Sequence, residues 1–462
     1  MRIALGAVLA LGLVLPANVP AQSTVERPFG TLREQAAQQQ QWLQKRLDGF
    51  LPPLMRKHGI DMWVVPMREY NEDPVFLALT SPQTFAARRR TIYVFFDACA
   101  KSGAMPVASC VERIALGGST QGGVFEARRS VRPAAGGPAG ARQGELWGDE
   151  QWQALVALVE EKDPQVIGIN RSTVFAFSDG LSSGELEGMS RALGDKWTAR
   201  YRNAEALPLE LIAVRQPEEE AFFRGMQELV WSLSQEMFSS RAITPGKTTT
   251  SDLVWWWRQR VNDLGLGTWF QPTVDVQRKG KTATDLGSDP VIERGDVLHS
   301  DLGITALRLN TDTQHLAYVL LPGEADAPAG LKQALANANA LQDIVLGELR
   351  PGRTGNDILA AARARMRQKG IDGTIYSHPI GLHGHGAGPL IGLWDFQQGV
   401  PGRGDAKVIP SMWWSIELQA TTPVPEWGGQ PVRMAQEEDA IIAADGKVRW
   451  ALRRQDALFL VR

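Results

Sequence analysis

Cysteine is nearly missing from this chain: 462 residues carry two, Cys99 and Cys110. That excludes a disulfide-dense scaffold and any zinc cluster built on thiolates. Histidine is scarce, with six residues. An excess of either charge is lacking, since 49 Lys and Arg stand against 51 Asp and Glu, a formal net charge of -2. A dedicated nucleic-acid binder needs a basic surface, so no nucleic-acid partner is expected. After the first 21 residues no apolar run is long enough to cross a bilayer. The chain does hold 44% apolar residues, 15 Trp and 46 Gly. That is material for roughly two to three domains with large buried rings and many tight turns.

Residues 1-21, MRIALGAVLALGLVLPANVPA, place one Arg before a short apolar core and small residues at its end. This pattern predicts a secretory signal that is removed. The mature protein is then expected outside the cytoplasm, periplasmic in a cell with two membranes or secreted, with no membrane attachment. Export would put Cys99 and Cys110 in an oxidising compartment. They flank KSGAMPVAS after the strand-like run Thr91 to Phe96. A disulfide closing this loop and a pair of free buried thiols both fit.

Residues 24-48 are Gln-rich with helical spacing. From 58 to 205 short apolar runs alternate with turn signals, as in Asp61 to Val65, Thr91 to Phe96 and Val166 to Ile169, with helical stretches such as 150-162 between them. That alternation predicts an α/β domain. Residues 130-147, containing AAGGPAGA, read as a small-residue loop. Near 205-216 the text changes. Pro217 followed by Glu218, Glu219 and Glu220 is a helix start, and an amphipathic helix should run to about 240. The expected division is a leader over 1-21, an N-terminal α/β domain over 22-206 and a second domain over 207-462. The second domain echoes itself. Pro245-Gly246 and Pro351-Gly352 each head a helix-like stretch, ending at Gly265 and Gly370. The echo predicts two similar halves facing each other.

Five of the six His lie between His299 and His385. Carboxylates keep them company. Asp301 sits in the strand-like run Val297 to Gly303, Asp312 precedes the run Leu316 to Leu320, and Glu417 lies inside Trp413 to Leu418. Glu437, Glu438 and Asp439 open a further apolar run. Charges in apolar strands are costly unless paired or bound to a cation. Each acid alone could be a turn residue or half of an ion pair. Taken together they would need several cations, and the local strands offer mainly Arg308 and Arg433. A shared metal centre neutralises all of them at once. Oxygen ligands with an imidazole suit Mn, Fe, Co or Zn, and several carboxylates can hold two ions.

On these residues the chain resembles the pita-bread (M24) metallopeptidases, which include aminopeptidase P, prolidase and methionine aminopeptidase. Their ligands run Asp, Asp, His, Glu, Glu. The Asp301-Leu-Gly303 motif, Asp312, the stretch Ser377 to His385, and Ser415-Ile416-Glu417 match that order. The resemblance implies Asp301, Asp312, His378, Glu417 and Glu437 as metal ligands, with Glu438 the fallback for the last. It implies His385 as a catalytic and substrate-contacting residue, Glu417 as proton carrier, and His383 as a residue that orients His385 or lines the pocket. The fold it implies is an α/β (α+β) chain whose C-terminal pita-bread domain has pseudo-two-fold symmetry and follows a smaller creatinase-type N-terminal α/β domain. The cofactors it implies are two divalent ions, manganese first, with zinc, cobalt or iron as alternatives. The substrates are short peptides, with Xaa-Pro aminopeptidase or dipeptidase action in view, and a homodimer is compatible. Proline-directed members carry a further His about 17 residues before the first Asp, where this chain has Thr284. A metal-free creatinase-like C-N hydrolase and a non-catalytic binding protein on the same fold are the alternatives.

Overall fold

Two sheets organise the chain, one in each half of the sequence. The computed structural model describes residues 27-129, 146 and 148-462. The expected leader, and the expected loop at 130-147 apart from Leu146, lie outside the described residues. Among the described residues no helix is long and apolar enough to cross a membrane.

The first sheet holds β1 (Met62–Arg68), β2 (Arg90–Asp97), β3 (Val111–Leu116), β4 (Glu126–Arg128), β5 (Ile167–Ile169) and β6 (Tyr201–Asn203) in the order β4-β3-β2-β1-β5-β6. Its central strand, MWVVPMR, is apolar up to the exposed Arg68 because both faces are covered. Trp63, Val65 and Met67 pack with Leu47 and Met55 on one face. Met62 and Val64 pack with Leu155 and Leu158 on the other. The covering helices are Leu32–Gly49, Leu51–Lys57 and Asp149–Lys162. Cys99 and Cys110 are joined as a disulfide that closes the connection from β2 to β3.

The second sheet has nine strands among the described residues. Its main path is β12 (Asp372–Ile375), β14 (Trp413–Val424), β15 (Gln430–Ile442), β11 (Thr313–Val319), β8 (Val297–Leu302) and β7 (Thr273–Gln277). Off that path, β13 (His378–Ile380) pairs with β14, β16 (Val448–Trp450) with β15, and β17 (Phe459–Val461) with β11. A small separate hairpin, β9 (Thr305–Ala306) and β10 (Leu309–Asn310), bridges β8 and β11. The helix expected from Pro217 spans Pro217–Met237, with a capping box between Gln216 and Glu219. The acids 437-439 lie deep within β15 rather than at its entrance. β14 and β15 pair over twelve rungs, from Trp413↔Ile441 to Val424↔Gln430, which draws residues 430-436 into the ladder as well.

The internal echo is structural. Gly246 and Gly352 both take positive φ, 79° and 89°. Their N–H groups donate to Ile292 O and Val408 O, each at 2.8 Å. Thr249 and Thr354 then cap the helices Thr250–Asp263 and Gly355–Gln368 through capping boxes with Asp252 and Asp357. Each capping Thr also forms an antiparallel bridge, to Val291 and Lys407. These are the matching halves of a pseudo-two-fold fold. On the first of these helices Trp257 is buried and Trp255 exposed, as three consecutive Trp on a helix require.

The halves are fastened together near the site. Arg308, between β9 and β10, donates to the carbonyls of Leu77, Thr80 and Ser81 in the smaller domain at 3.1, 2.7 and 3.0 Å. Buried Arg46 pairs with Glu219 at 2.6 Å.

Candidate metal centre

Strand periodicity builds the site. Gln314 of β11 stands opposite Asp301 of β8, and also opposite Glu437 of β15. Glu437 in turn faces Glu417 of β14, and Ser415 of β14 faces His378 of β13. Alternate residues share one sheet face. Asp312 enters at the mouth of β11. The result is that all five expected ligands converge. One ligand atom each from Asp301, Asp312 and Glu437 lies within 4.8 Å of the others, and the same holds for His378, Glu417 and Glu437. His378 Nε2 is 3.7 Å from Asp312 Oδ2, 3.9 Å from Glu417 Oε2 and 3.4 Å from Glu437 Oε1.

The groups present fit a bound cation. Asp301 Oδ1, Asp312 Oδ1 and His378 Nε2 are buried without a hydrogen-bond partner. Desolvation, then the charge of Glu437, drives Asp301, Asp312 and Glu417 well above the usual carboxylate range. Asp312 is pushed further by Asp301 and Glu417. Bound ions would relieve that repulsion and satisfy the three orphaned atoms. Glu437 belongs to both of the groups above, and Asp312 also falls into a third with His378 and His385; Asp301 stands on one side of the cluster, His378 and Glu417 on the other.

Close packing at two glycines makes the site possible. A Cβ on Gly303 would lie 2.4 Å from Thr311 O, and one on Gly384 would lie 2.2 Å from the Trp269 ring. Trp269 donates Nε1 to Thr311 O at 3.0 Å and meets the His385 ring edge-on, centroids 5.1 Å apart. His385 also stands T-shaped to His378 at 4.7 Å. An edge of His385 is exposed. Desolvation and then His378 lower its pKa to about 4, so at neutral pH it is an uncharged imidazole. His383 lies further out, its ring 4.9 Å from Phe177 of the smaller domain, with Nδ1 buried and unpartnered. Burial, then Arg215, lowers its pKa to about 4. Trp413 and Trp414 are core rings, while Trp394 is exposed. A cavity of about 690 Å³ opens beside the cluster, lined in part by Asp275, His299, Leu286, Pro290, Arg433 and Ala435. Thr284 is exposed on the short helix Ala283–Leu286 at its rim.

Glu438 points the other way. It meets His315 Nε2 at 3.1 Å, and His315 Nδ1 meets Ser234 Oγ at 3.0 Å. The fallback ligand is thus a partner of His315 behind the sheet. Asp439, two residues beyond Glu437, returns to the ligand face and accepts from Asp312 N at 3.2 Å and Gln227 Nε2 at 2.5 Å. Sequence reasoning assigned no role to Asp439, Gln314, Ser415 or Trp269. Strand alternation from Glu437 would have found Asp439; nothing local marks the others.

Residues 227–445 match the model of metallopeptidase family M24. The X-Pro aminopeptidase of Thermotoga maritima is similar in structure, with a TM-score of 0.59 and 19% identity over 88% of this chain and 100% of that one. The Xaa-Pro dipeptidase of Bacillus anthracis follows, with a TM-score of 0.55 and 15% identity over 91% and 99%. The N-terminal domain of the FACT complex subunit SPT16 from chickpea also matches, with a TM-score of 0.54 and 14% identity over 92% and 98%. No curated protein sequence matches. The second domain of this chain carries the M24 metallopeptidase pattern over residues 227–445. It is a mixed α/β, pita-bread hydrolase of the metallopeptidase class.

Proposed function

We propose that this protein is an exported, two-metal peptidase acting on short peptides in the manner of an Xaa-Pro aminopeptidase or dipeptidase. Its domains divide at 206/207. The observation that carries the reading is the cluster of buried acids around His378, whose orphaned atoms call for cations. Asp301, Asp312, His378, Glu417 and Glu437 hold the ions in this reading, with manganese the first candidate. Two divalent ions supply Lewis acidity toward a peptide carbonyl and a water acidified toward neutrality. Glu417 takes the proton of the attacking water and passes it to the leaving amine. His385, neutral at working pH, donates an N–H to the oxyanion. His383 lines the outer cleft where the smaller domain meets it. The Cys99–Cys110 disulfide supports an oxidising, extracytoplasmic location.

A non-catalytic binding role on the same fold is the second reading. A metal-free C-N hydrolase would have no use for the orphaned acids. The deciding experiment measures metal content of chelator-stripped, reloaded protein alongside digestion of a short-peptide library that includes Xaa-Pro sequences. Two ions per chain with peptide cleavage is the expected result. Two ions without cleavage would leave a binder, and no ions would remove the metal reading.

A further inference from the structure

Gln314 stands at the centre of the ligand face, and its buried side chain touches two of the expected ligands. Its Nε2 lies 2.8 Å from Glu417 Oε1 and 2.9 Å from Glu437 Oε2. Each carboxylate oxygen there accepts, so the amide nitrogen must face both acids. The amide oxygen is therefore turned to His299, 2.9 Å from its Nε2. That oxygen also accepts, so His299 Nε2 must carry the proton. The partners thus fix the amide orientation and place a proton on His299 Nε2 by chemistry. His299 Nδ1 faces Asp275 Oδ2 at 3.4 Å, across the β7–β8 ladder.

The consequence falls on the individual oxygens. With Glu417 Oε1 and Glu437 Oε2 engaged by Gln314, the other two oxygens are those turned to His378 Nε2, at 3.9 and 3.4 Å. Ser415 Oγ donates to that same Glu437 Oε1 at 2.6 Å.

We propose that Gln314, held in place by His299, is a positioning residue for the metal centre: its amide sorts the oxygens of Glu417 and Glu437 into an outer one and one presented to the ions. The inference rests on the two-metal reading of this cluster. Like charges on Glu417 and Glu437 would otherwise rotate apart, and outer-shell partners of this kind typically govern metal affinity by about 10–100-fold.

The test is titration of chelator-stripped protein with Co²⁺, followed by calorimetry and by the visible spectrum of the bound ion. Gln314→Met removes the amide at similar volume and should weaken Co²⁺ binding about 10–100-fold and change the spectrum. His299→Leu should weaken binding less. In the Gln314→Met background it should add nothing, because it acts through the amide. Gln314→Asn keeps the amide but shortens its reach; it should fail to restore affinity, and it serves in place of Gln314→Met if that variant does not fold. A residue that served stability alone would lower the melting temperature of stripped protein and leave affinity and spectrum unchanged. Wild-type affinity and spectrum in the Gln314 variants would overturn the proposal, as would an undiminished His299→Leu effect without Gln314. Stripped wild-type protein that takes up no Co²⁺ would overturn the metal reading first, and this inference with it.

Discussion

The smaller domain and the acid cluster of the catalytic sheet bury carboxylates in opposite ways. In the first, Glu185 is gripped by Arg90 at 2.6 Å with Arg68 at 3.3 Å, and Asp97 by Arg56 at 2.8 Å. Asp73 lacks a guanidinium but accepts from Val75 N and Asn170 Nδ2 at 3.0 and 2.8 Å, and burial still raises its pKa to about 6. In the catalytic sheet Asp301, Asp312 and Glu417 face one another and the His378 imidazole. A carboxylate with its own arginine is part of the scaffold. Carboxylates gathered against each other are held for something that arrives from outside, and the fold bears their repulsion until it does.

That contrast can be broken by experiment. Asp312→Ala should abolish metal uptake and lower peptide hydrolysis by about a thousandfold or more, roughly 4 kcal/mol. The melting temperature of the metal-free variant should stay level or rise, because a buried repulsive charge is gone. A fall in that temperature would place Asp312 in the scaffold. Arg90→Met should do the reverse. It leaves Glu185 buried with only the more distant Arg68, and chemical denaturation should show a loss of about 3 kcal/mol with kcat per folded molecule unchanged. Replacing Cys99 and Cys110 together by Ser should cost about 2–3 kcal/mol, given their sequence separation of 11, and leave the metal content untouched. Glu438→Gln should have the smallest effect, within about 1 kcal/mol, since a carboxamide can still hydrogen-bond His315. Its metal content should equal that of the parent, whereas loss of metal would put Glu438 among the ligands.

The clustered acids were legible in the sequence because a carboxylate inside an apolar strand announces an expense that something must offset. The helix at Pro217 and the paired Pro-Gly turns were legible because caps and positive-φ glycines are local signals. Gln314 carried no such mark. An uncharged side chain before an apolar run reads as surface until the register places it between two acids. His299 and Trp269 are equally silent, because their roles depend on strands and loops that meet only in the folded chain. The depth of Glu437 in β15 was hidden for the same reason: residues 430-436 join the ladder through their pairing with β14 and show little strand pattern alone.

The twelve rungs between β14 and β15 carry one more implication. Glu437 and Glu438 are neighbours on opposite faces, so shifting that hairpin by a single residue would swap them. Glu437 would then meet His315, and its neighbour would take its place out of step with Glu417. A long zipper makes such a shift expensive across its whole length. In the proposed metal reading, assembly fidelity and ion loading become one event, and a misthreaded molecule would betray itself as one that never takes up metal.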